Sequence, residues 1–278
     1  MKFIILYLIL DIMFTQMYKK ATFKMEKAGA LTILLEWIGC LFCLLLIPFF
    51  QWKLPSDIHV YFFLFLAILF YIVNDRLGTT VRSGVDASSY SILKQLSTVF
   101  MIIMGITFFK EPISILKLIG VTLIILSNIL VFYEKGKLKL NKYVWLGILA
   151  NLSYAIALFI DVNNSNEFCL PFYVFISLAT PSILILLFEK IKLKEIKNEW
   201  KRGNKKAIIL TSFAWGTMII SQLRAYQLES VVLVATLCSI SVILNAIFGY
   251  VFLKEKDKMV QKIVAGIVII IGIFLIKL

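Results

Sequence analysis

The chain has 278 residues, of which 61% are hydrophobic and only 16% are charged, and its mean hydropathy is +0.93. A water-soluble domain carries about 25% charged residues and could not bury this much apolar surface, so the composition excludes a soluble fold and indicates a chain that lies mostly within a bilayer. Twenty-nine Lys and Arg against 16 Asp and Glu give a net charge of +13. We attribute this excess to basic cytoplasmic loops rather than to nucleic-acid binding.

Ten apolar runs are candidate membrane-spanning helices, each of which needs about 20 mostly apolar residues. The connector at 189–205 is rich in lysine and glutamate and predicts a solvated loop with a short amphipathic helix at the headgroups. The sequence therefore predicts an all-α integral membrane protein with ten transmembrane helices; eight or nine spans with one interfacial helix is the alternative. In chain order the runs are 3–18, 30–50, 58–77, 86–109, 112–133, 143–161, 168–188, 206–226, 230–253 and 259–276.

Basic residues are concentrated in alternate connectors. Twenty-two Lys and Arg lie in or beside the loops that follow odd-numbered spans, against six in or beside the other loops and the two termini. Because basic loops stay on the cytoplasmic side, this distribution predicts that both termini face outward.

The sequence also repeats itself at a spacing of 144 residues. Residues 91–111 align without a gap with residues 235–255, and both segments end in Gly-x4-Lys-Glu. We therefore divide the chain into two five-helix repeats, residues 1–137 and 138–278. An odd number of spans gives the two repeats opposite orientations in the membrane, and inverted repeats of this kind are characteristic of secondary transporters.

Several short motifs carry a family resemblance. They are Arg-Ser-Gly-Val-Asp-Ala-Ser-Ser-Tyr at 82–90, Phe-Phe-Lys-Glu-Pro at 108–112 with Gly120, and Leu-Lys-Glu at 253–255 with Gly266. The chain resembles the drug/metabolite transporter superfamily, specifically its ten-span EamA-like members. The resemblance implies a central cavity, a peripheral last helix in each half, and termini in the cytoplasm. That orientation is opposite to the one predicted by the basic residues, and both remain open.

Polar residues inside predicted spans are candidates to line a cavity, because they are costly in contact with lipid. They recur on spans 1, 3, 4, 6, 8 and 9, whereas spans 5 and 10 are almost wholly apolar and predict helices that face lipid or a second subunit. The predicted substrate-binding residues are Asp11, Tyr71, Asn74, Tyr90, Lys94, Thr98, Asn151, Tyr154, Trp215, Gln222, Ser241 and Asn245.

Lys94 lies about 12 Å deep in its predicted span, too far to reach the headgroups easily. It has three interpretations: an ion pair with an acid such as Asp11, contact with an anionic part of a substrate, or loss of its charge. Two other charged sites have interfacial interpretations. Glu36 is expected to reach the headgroups, and Asp75 is expected to pair with its neighbour Arg76.

These features predict a secondary transporter of a small metabolite, amino acid-like, zwitterionic or an organic ion, that acts in the plasma membrane by alternating access. The chain has one histidine and no Gly-x4-Gly-Lys-Ser/Thr motif, so we expect no catalytic residues, metal site, cofactor or nucleic-acid partner. Its expected partners are a small-molecule substrate and membrane lipid, and monomer and homodimer both remain open. A structural or signalling membrane protein and, less favoured, a lipid-modifying membrane enzyme are the alternatives.

Overall fold

The computed structural model of the chain describes residues 1–109, 114–134, 137–138, 141–229 and 231–276. These residues are almost entirely helical, apart from a hairpin of two-residue strands, Tyr133–Glu134 and Lys137–Leu138. The all-α prediction is confirmed. The helices are α1 (Lys2–Thr22), α2 (Ala28–Leu46), α3 (Ile58–Gly84), α4 (Ala87–Lys94), α5 (Leu96–Phe109), α6 (Ile115–Phe132), α7 (Lys142–Asn164), α8 (Leu170–Phe188), α9 (Leu193–Arg202), α10 (Lys205–Leu228), α11 (Val231–Ser239), α12 (Ser241–Leu253) and α13 (Met259–Leu275).

The outer surface is that of an integral membrane protein. Among the described residues, six helical segments are long and apolar enough to cross a membrane, namely α3, α6, α8, α10, and α2 and α7 with their following turns. Large apolar side chains such as Ile103, Leu126 and Phe274 are about half exposed. A continuous apolar exterior of this kind is stable against lipid hydrocarbon and not against water. The predicted amphipathic helix in the 189–205 connector is present as α9.

Two spans that we predicted as single helices are broken. Residues 86–109 form α4 and α5, separated at Gln95, and residues 230–253 form α11 and α12, separated at Ile240. At each break the backbone N–H bonds to the carbonyl three residues earlier, at 3.0 Å for Gln95 and 3.2 Å for Ile240, which interrupts the regular α-helical pattern. Neither break contains Gly or Pro, so the apolar pattern carries no sign of it. The two breaks lie one residue apart in the 144-residue register.

Helix α3 is longer than predicted. The apolar run ends at residue 77, but the helix continues to Gly84 through polar residues. Thr79 is buried against other helices: its hydroxyl lies 2.6 Å from the hydroxyls of both Tyr18 and Thr32. A prediction from hydropathy ends the helix where polar residues begin. In the structure the helix continues, because these residues form hydrogen bonds within the protein.

Packing follows the sequence repeat. Helix α1 runs along α10, and its repeat-related counterpart α7 runs along α3; α2 packs on α8. The last helices of the halves, α6 and α13, pack on each other at the periphery. Their contact is close, because a Cβ atom at Gly272 would lie 2.8 Å from the Gly120 carbonyl oxygen. This arrangement leaves α1, α3, α4, α7, α8 and α10 around the centre of the molecule.

Candidate functional site

A cavity lies at the centre of the molecule between helices from both halves. Its volume open to the centres of water-sized molecules is about 50 Å³. Because one water needs about 10–15 Å³ by that measure, several waters fit. The lining residues are Phe14, Tyr71, Asn74, Asp75, Arg82, Tyr90, Lys94, Asn151, Tyr154, Asp161, Val174, Ser177, Leu178, Trp215, Met218 and Ile219.

The structure brings most of the predicted site residues to this cavity. Tyr71, Asn74, Tyr90, Lys94, Asn151, Tyr154 and Trp215 line it. Three others lie behind the wall and bond to lining residues or to each other: Asp11, Gln222 and Asn245. Thr98 and Ser241 lie beyond the two helix breaks and are not among the lining residues. Substrate contact by any of them stays a prediction.

Lys94 is held by an ion pair with Asp11. Its Nζ lies 3.2 Å from Asp11 Oδ1, and the other carboxylate oxygen accepts a hydrogen bond from Asn245 Nδ2 at 2.9 Å. Asn245 also donates to Ser91 at 3.3 Å and accepts from Gln16 at 3.2 Å, so the network joins α1, α4 and α12. Lys94 ends α4, where the helix dipole favours a positive charge. Of the three interpretations of Lys94, the structure shows the ion pair.

A second carboxylate, Asp161 on α7, is satisfied by tyrosines. The hydroxyls of Tyr71 on α3 and Tyr173 on α8 each donate to one of its oxygens at 2.5 Å. This cluster joins three helices from the two halves at the part of the cavity formed by the C-terminal half of α7.

Arg82 is a lining residue that the sequence analysis missed. Its guanidinium carbon lies 3.8 Å from the ring centroid of Tyr90, 4.4 Å from that of Tyr18 and 5.1 Å from that of Phe14. These are cation–π distances. Gly78 leaves room for it, since a Cβ there would lie 2.9 Å from Arg82 Nη1.

The signal for Arg82 was present in the sequence. Tyr71, Asp75, Gly78 and Arg82 follow one another at helical spacing and share one face of α3. We missed it because the predicted span ended at residue 77. The extension of α3 to Gly84 puts Arg82 inside the bundle.

Two interfacial interpretations were wrong. Arg76 does not pair with Asp75: its Nε donates to Glu189 and its Nη1 donates to Thr80 at 2.7 Å. Glu36 does not reach the headgroups, because its side chain is fully buried. It lies within hydrogen-bonding reach of Asp75, which itself lines the cavity. The burial of Glu36 follows from the packing of α2 on α3, which the sequence does not show.

The junction between α3 and α4 is fixed by three charged side chains, which we call the junction cluster: Lys19, Glu255 and Lys262. Lys19 donates to the backbone carbonyls of Arg82, at 2.8 Å, and Val85, at 2.7 Å. Glu255 accepts the backbone N–H groups of Ala87 and Ser88 at 2.7 and 3.1 Å and the Ser88 hydroxyl at 2.5 Å. Lys262 pairs with Asp86 at 2.7 Å. Together they satisfy the end of α3 and the start of α4.

The repeated Gly-x4-Lys-Glu motif therefore has a structural role in the second half, where its glutamate caps α4. The equivalent glutamate of the first half, Glu111, falls outside the described residues. The motif that carried the resemblance thus joins one half of the chain to the other.

Comparison with known proteins gives one clear result. The chain matches the EamA-like transporter family twice, over residues 5–133 and over residues 141–278. A search of curated protein sequences gives no significant match.

Proposed function

Because this chain belongs to the EamA-like transporter family, we propose that it is a secondary transporter that moves a small, charged or zwitterionic metabolite across the plasma membrane by alternating access. Family membership and the apolar helices establish the coarser description, an integral membrane protein of a transporter family. The substrate, the mechanism and the cellular membrane are the proposal.

The proposed topology has ten spans in two inverted repeats. The spans are α1, α2, α3, α4 with α5, α6, α7, α8, α10, α11 with α12, and α13. Equivalent packing of α1 on α10 and of α7 on α3 supports a two-fold relation between the halves. Broken helices at the fourth and ninth spans support it further, because transporters of this type place discontinuous helices at the substrate site.

The observation that carries the proposal is the cavity itself. Polar and aromatic groups from both halves line it, and a lysine and two aspartates near it are satisfied by internal partners rather than by lipid. A purely structural membrane subunit has no need of a polar cavity with costly buried charges. The cavity therefore favours a carrier over the structural or signalling alternative.

An asymmetry between the halves supports alternating access. Helix α4 packs on α1, α12 and α13, whereas the described residues of α11 show no comparable packing on the equivalent helices α7, α5 and α6. We infer that the molecule is closed at the α3–α4 junction, where α4 packs on helices of both halves. By the distribution of basic residues, the closed end is the cytoplasmic one.

The test is transport by purified protein in proteoliposomes against a panel of small metabolites, chosen by a thermal-shift screen in which bound ligand raises the melting temperature. Once a substrate is found, Lys94→Met should lower its uptake at least tenfold, because the change leaves Asp11 buried without its cation. Lys53→Met is the matched control, since Lys53 pairs with Glu167 at an exposed site away from the cavity. Uptake by Lys94→Met equal to that of the control, in equal amounts of folded protein, would remove this site from the transport pathway.

A further inference from the structure

Arg82 is the cavity cation without a carboxylate partner. Lys94 is neutralised by Asp11 at 3.2 Å, whereas among the described residues no carboxylate oxygen lies within 4.0 Å of the Arg82 guanidinium. The buried Nε of Arg82 has no hydrogen-bond partner in the described part of the chain. A buried donor left without an acceptor costs free energy that a ligand can recover.

The aromatic rings around Arg82 determine how a ligand can approach it. Tyr90, Tyr18 and Phe14 lie at cation–π distances, and Trp215 packs on the last two with centroids 5.5 Å away. Rings cover the faces of a guanidinium but leave its N–H edge for hydrogen bonding. That edge matches the two oxygens of a carboxylate, which it can bind in bidentate fashion.

Two buried carboxyl groups lie next to each other near this site. Glu36 on α2 is 0% exposed and Asp75 on α3 is 5% exposed, and they are within hydrogen-bonding reach of each other. Neither oxygen of Glu36 receives a hydrogen bond from a conventional donor among the described residues. Because two adjacent buried carboxylates repel each other, we infer that the pair shares one proton and carries a single negative charge.

Among the described residues, Arg82 is the cation that acts on the pair. Arg82 acts on Asp75 from two turns further along the same face of α3. Tyr18 on α1 and Cys40 on α2 are the other titratable groups that face the pair. The nearby lining residues of α8 and α10, such as Ser177 and Trp215, are uncharged.

The charges at this end of the cavity balance when it is empty. The carboxyl pair carries −1 and Arg82 carries +1. An entering anion adds a second negative charge, which a low-dielectric site tolerates only if a proton enters as well. We propose that Arg82 binds a carboxylate group of the substrate and that the Glu36–Asp75 pair takes up one proton as the substrate binds. This inference rests on the proposed transport function and adds its substrate class and its coupling ion.

The step needs no other reactant. A proton from water on the open side adds to the ionised oxygen of the pair, which becomes neutral, while the substrate carboxylate takes over as the counter-ion of Arg82. When the cavity opens on the other side, the substrate and the proton leave together and the pair regains its negative charge. The carrier is then a proton–carboxylate symporter, and the cavity has the same net charge when loaded as when empty.

The first experiment measures binding to purified protein in detergent with three matched probes: benzoate, benzylamine and benzyl alcohol. Benzoate should raise the melting temperature, whereas the amine and the alcohol should not. Benzoate is ionised between pH 6 and 8, so uptake of one proton by the protein should weaken its binding by up to about tenfold per pH unit as the pH rises.

The other outcomes of this binding experiment overturn one part or both parts of the proposal. Equal stabilisation by all three probes, or none by benzoate, overturns the anion site. Binding of benzoate with no dependence on pH overturns the proton uptake. Stabilisation by benzylamine alone overturns the anion site but leaves the proposed transport function standing, since a small-molecule site would still be present.

Three variants sharpen the test. Arg82→Gln should weaken benzoate binding at least tenfold, and Arg82→Lys, which keeps the charge but loses the planar fork, should fall between it and the natural protein. The double variant Glu36→Gln/Asp75→Asn removes the negative charge of the pair, so benzoate should still bind and its affinity should no longer vary with pH. The matched control is Arg224→Gln, because the Arg224 guanidinium bonds to Gln227 on its own helix. It should bind benzoate within twofold of the natural protein.

A folding defect would not hide the answer. Each variant is purified by gel filtration. Only variants whose melting temperature without ligand equals that of the natural protein are compared. Glu36→Gln/Asp75→Asn gives a flat pH profile only if the pair is the proton-binding group. Unchanged benzoate binding in Arg82→Gln, or an unchanged pH slope in Glu36→Gln/Asp75→Asn, overturns the assignment.

Discussion

Helices α4 and α11 occupy the same place in the two repeats, and their described residues make different contacts. The start of α4 is capped by Glu255, and Asp86 just before it pairs with the buried Lys262, so α4 is joined to α12 and α13 of the other half. The described residues of α11 contact α1, α10, α12 and α13 but show no comparable packing on α5, α6 and α7. Within the described residues, equal sequence positions therefore have unequal contacts. The difference lies in Glu255 and in the Asp86–Lys262 pair, which fix the start of α4 to the second half.

The largest effect should come from fixing the α4 contact covalently. A Cβ atom at Gly249 on α12 would lie 3.6 Å from the Ser88 Cβ, a separation that suits a disulfide. We expect the double variant Ser88→Cys/Gly249→Cys to lose at least tenfold of its transport under oxidising conditions and to regain it with dithiothreitol. The Gly249 Cβ would also lie 2.8 Å from Glu255 Oε2, so the cross-link displaces that carboxylate and replaces its hold on α4. Full transport by the oxidised, cross-linked protein would show that α4 does not need to separate from α12.

The second change weakens the same contact between α4 and the second half. Glu255→Ala removes the acceptor of two backbone N–H groups and one hydroxyl, which should cost the closed arrangement about 2 kcal/mol. That shifts the open-to-closed ratio about thirtyfold. The measurement is the rate at which a water-soluble maleimide labels Ser91→Cys, since Ser91 is buried on α4.

Its control is Glu26→Ala, which removes an exposed glutamate that pairs with Arg202. Labelling in this background should stay within twofold of the rate in the parent protein. Equal labelling rates in the Glu255 and Glu26 variants would show that the cap does not hold α4.

The third change should be smaller. Lys262→Met keeps the apolar stem of the buried lysine and removes only its charge. Asp86 remains 40% exposed on its side chain and keeps contact with water, so the loss should be about 1 kcal/mol, or about fivefold in labelling rate. A double-mutant cycle with Asp86→Asn isolates the pair. A coupling energy near zero would assign the effect to packing rather than to charge.

The smallest effect should come from α9, which lies on the same side of the bundle as the α3–α4 junction but away from α4. Glu199 on α9 accepts the backbone N–H groups of Glu26 and Lys27 at 3.1 and 2.8 Å, and burial raises the pKa of its carboxyl. A raised pKa in the folded state means that its stabilising contribution is present below the ordinary range of a glutamate and is lost as the pH rises through the shifted value. Glu199→Gln keeps one acceptor oxygen and removes the charge. We expect the melting temperature at pH 7 to rise by about 1 °C.

Glu195 on the same helix provides the opposite sign. The backbone N–H of Lys192 and the ammonium of Lys27 lower the pKa of its carboxyl, so its contribution is present above the ordinary range and is lost on acidification. Glu195→Gln should therefore lower the melting temperature at pH 7 and change it less at pH 4. Neither variant should alter the labelling of Ser91→Cys, and a change there would contradict the assignment of closure to the α3–α4 junction.

The sequence predicted the helical class well because apolar runs of membrane length are a strong signal, and the amphipathic α9 carried its own charge pattern. It also placed Tyr90, Lys94, Asn151 and Tyr154 on stripes that the structure directs into the cavity. Polar residues in apolar helices tend to face a cavity or another helix, because contact with lipid is costly.

The misses share a physical cause. The breaks at Gln95 and Ile240, the polar extension of α3 and the burial of Glu36 all depend on contacts between helices that are distant in the sequence. Arg82 was missed for the same reason. A hydropathy window ends the predicted helix where side chains begin to contact other helices rather than lipid. Tertiary contacts, rather than local preference, decide such positions.

The contact between Gly120 and Gly272 has one more consequence. The last helices of the two halves meet there backbone to backbone, with Ile276 and Ile124 packed beside the glycines. We expect so close a contact to act as a pivot: its position stays constant while the parts on either side of it swing. Alanine at either glycine would push the two helices apart, and we expect the widths of the two entrances, measured by electron-spin distance distributions, to change together rather than in exchange.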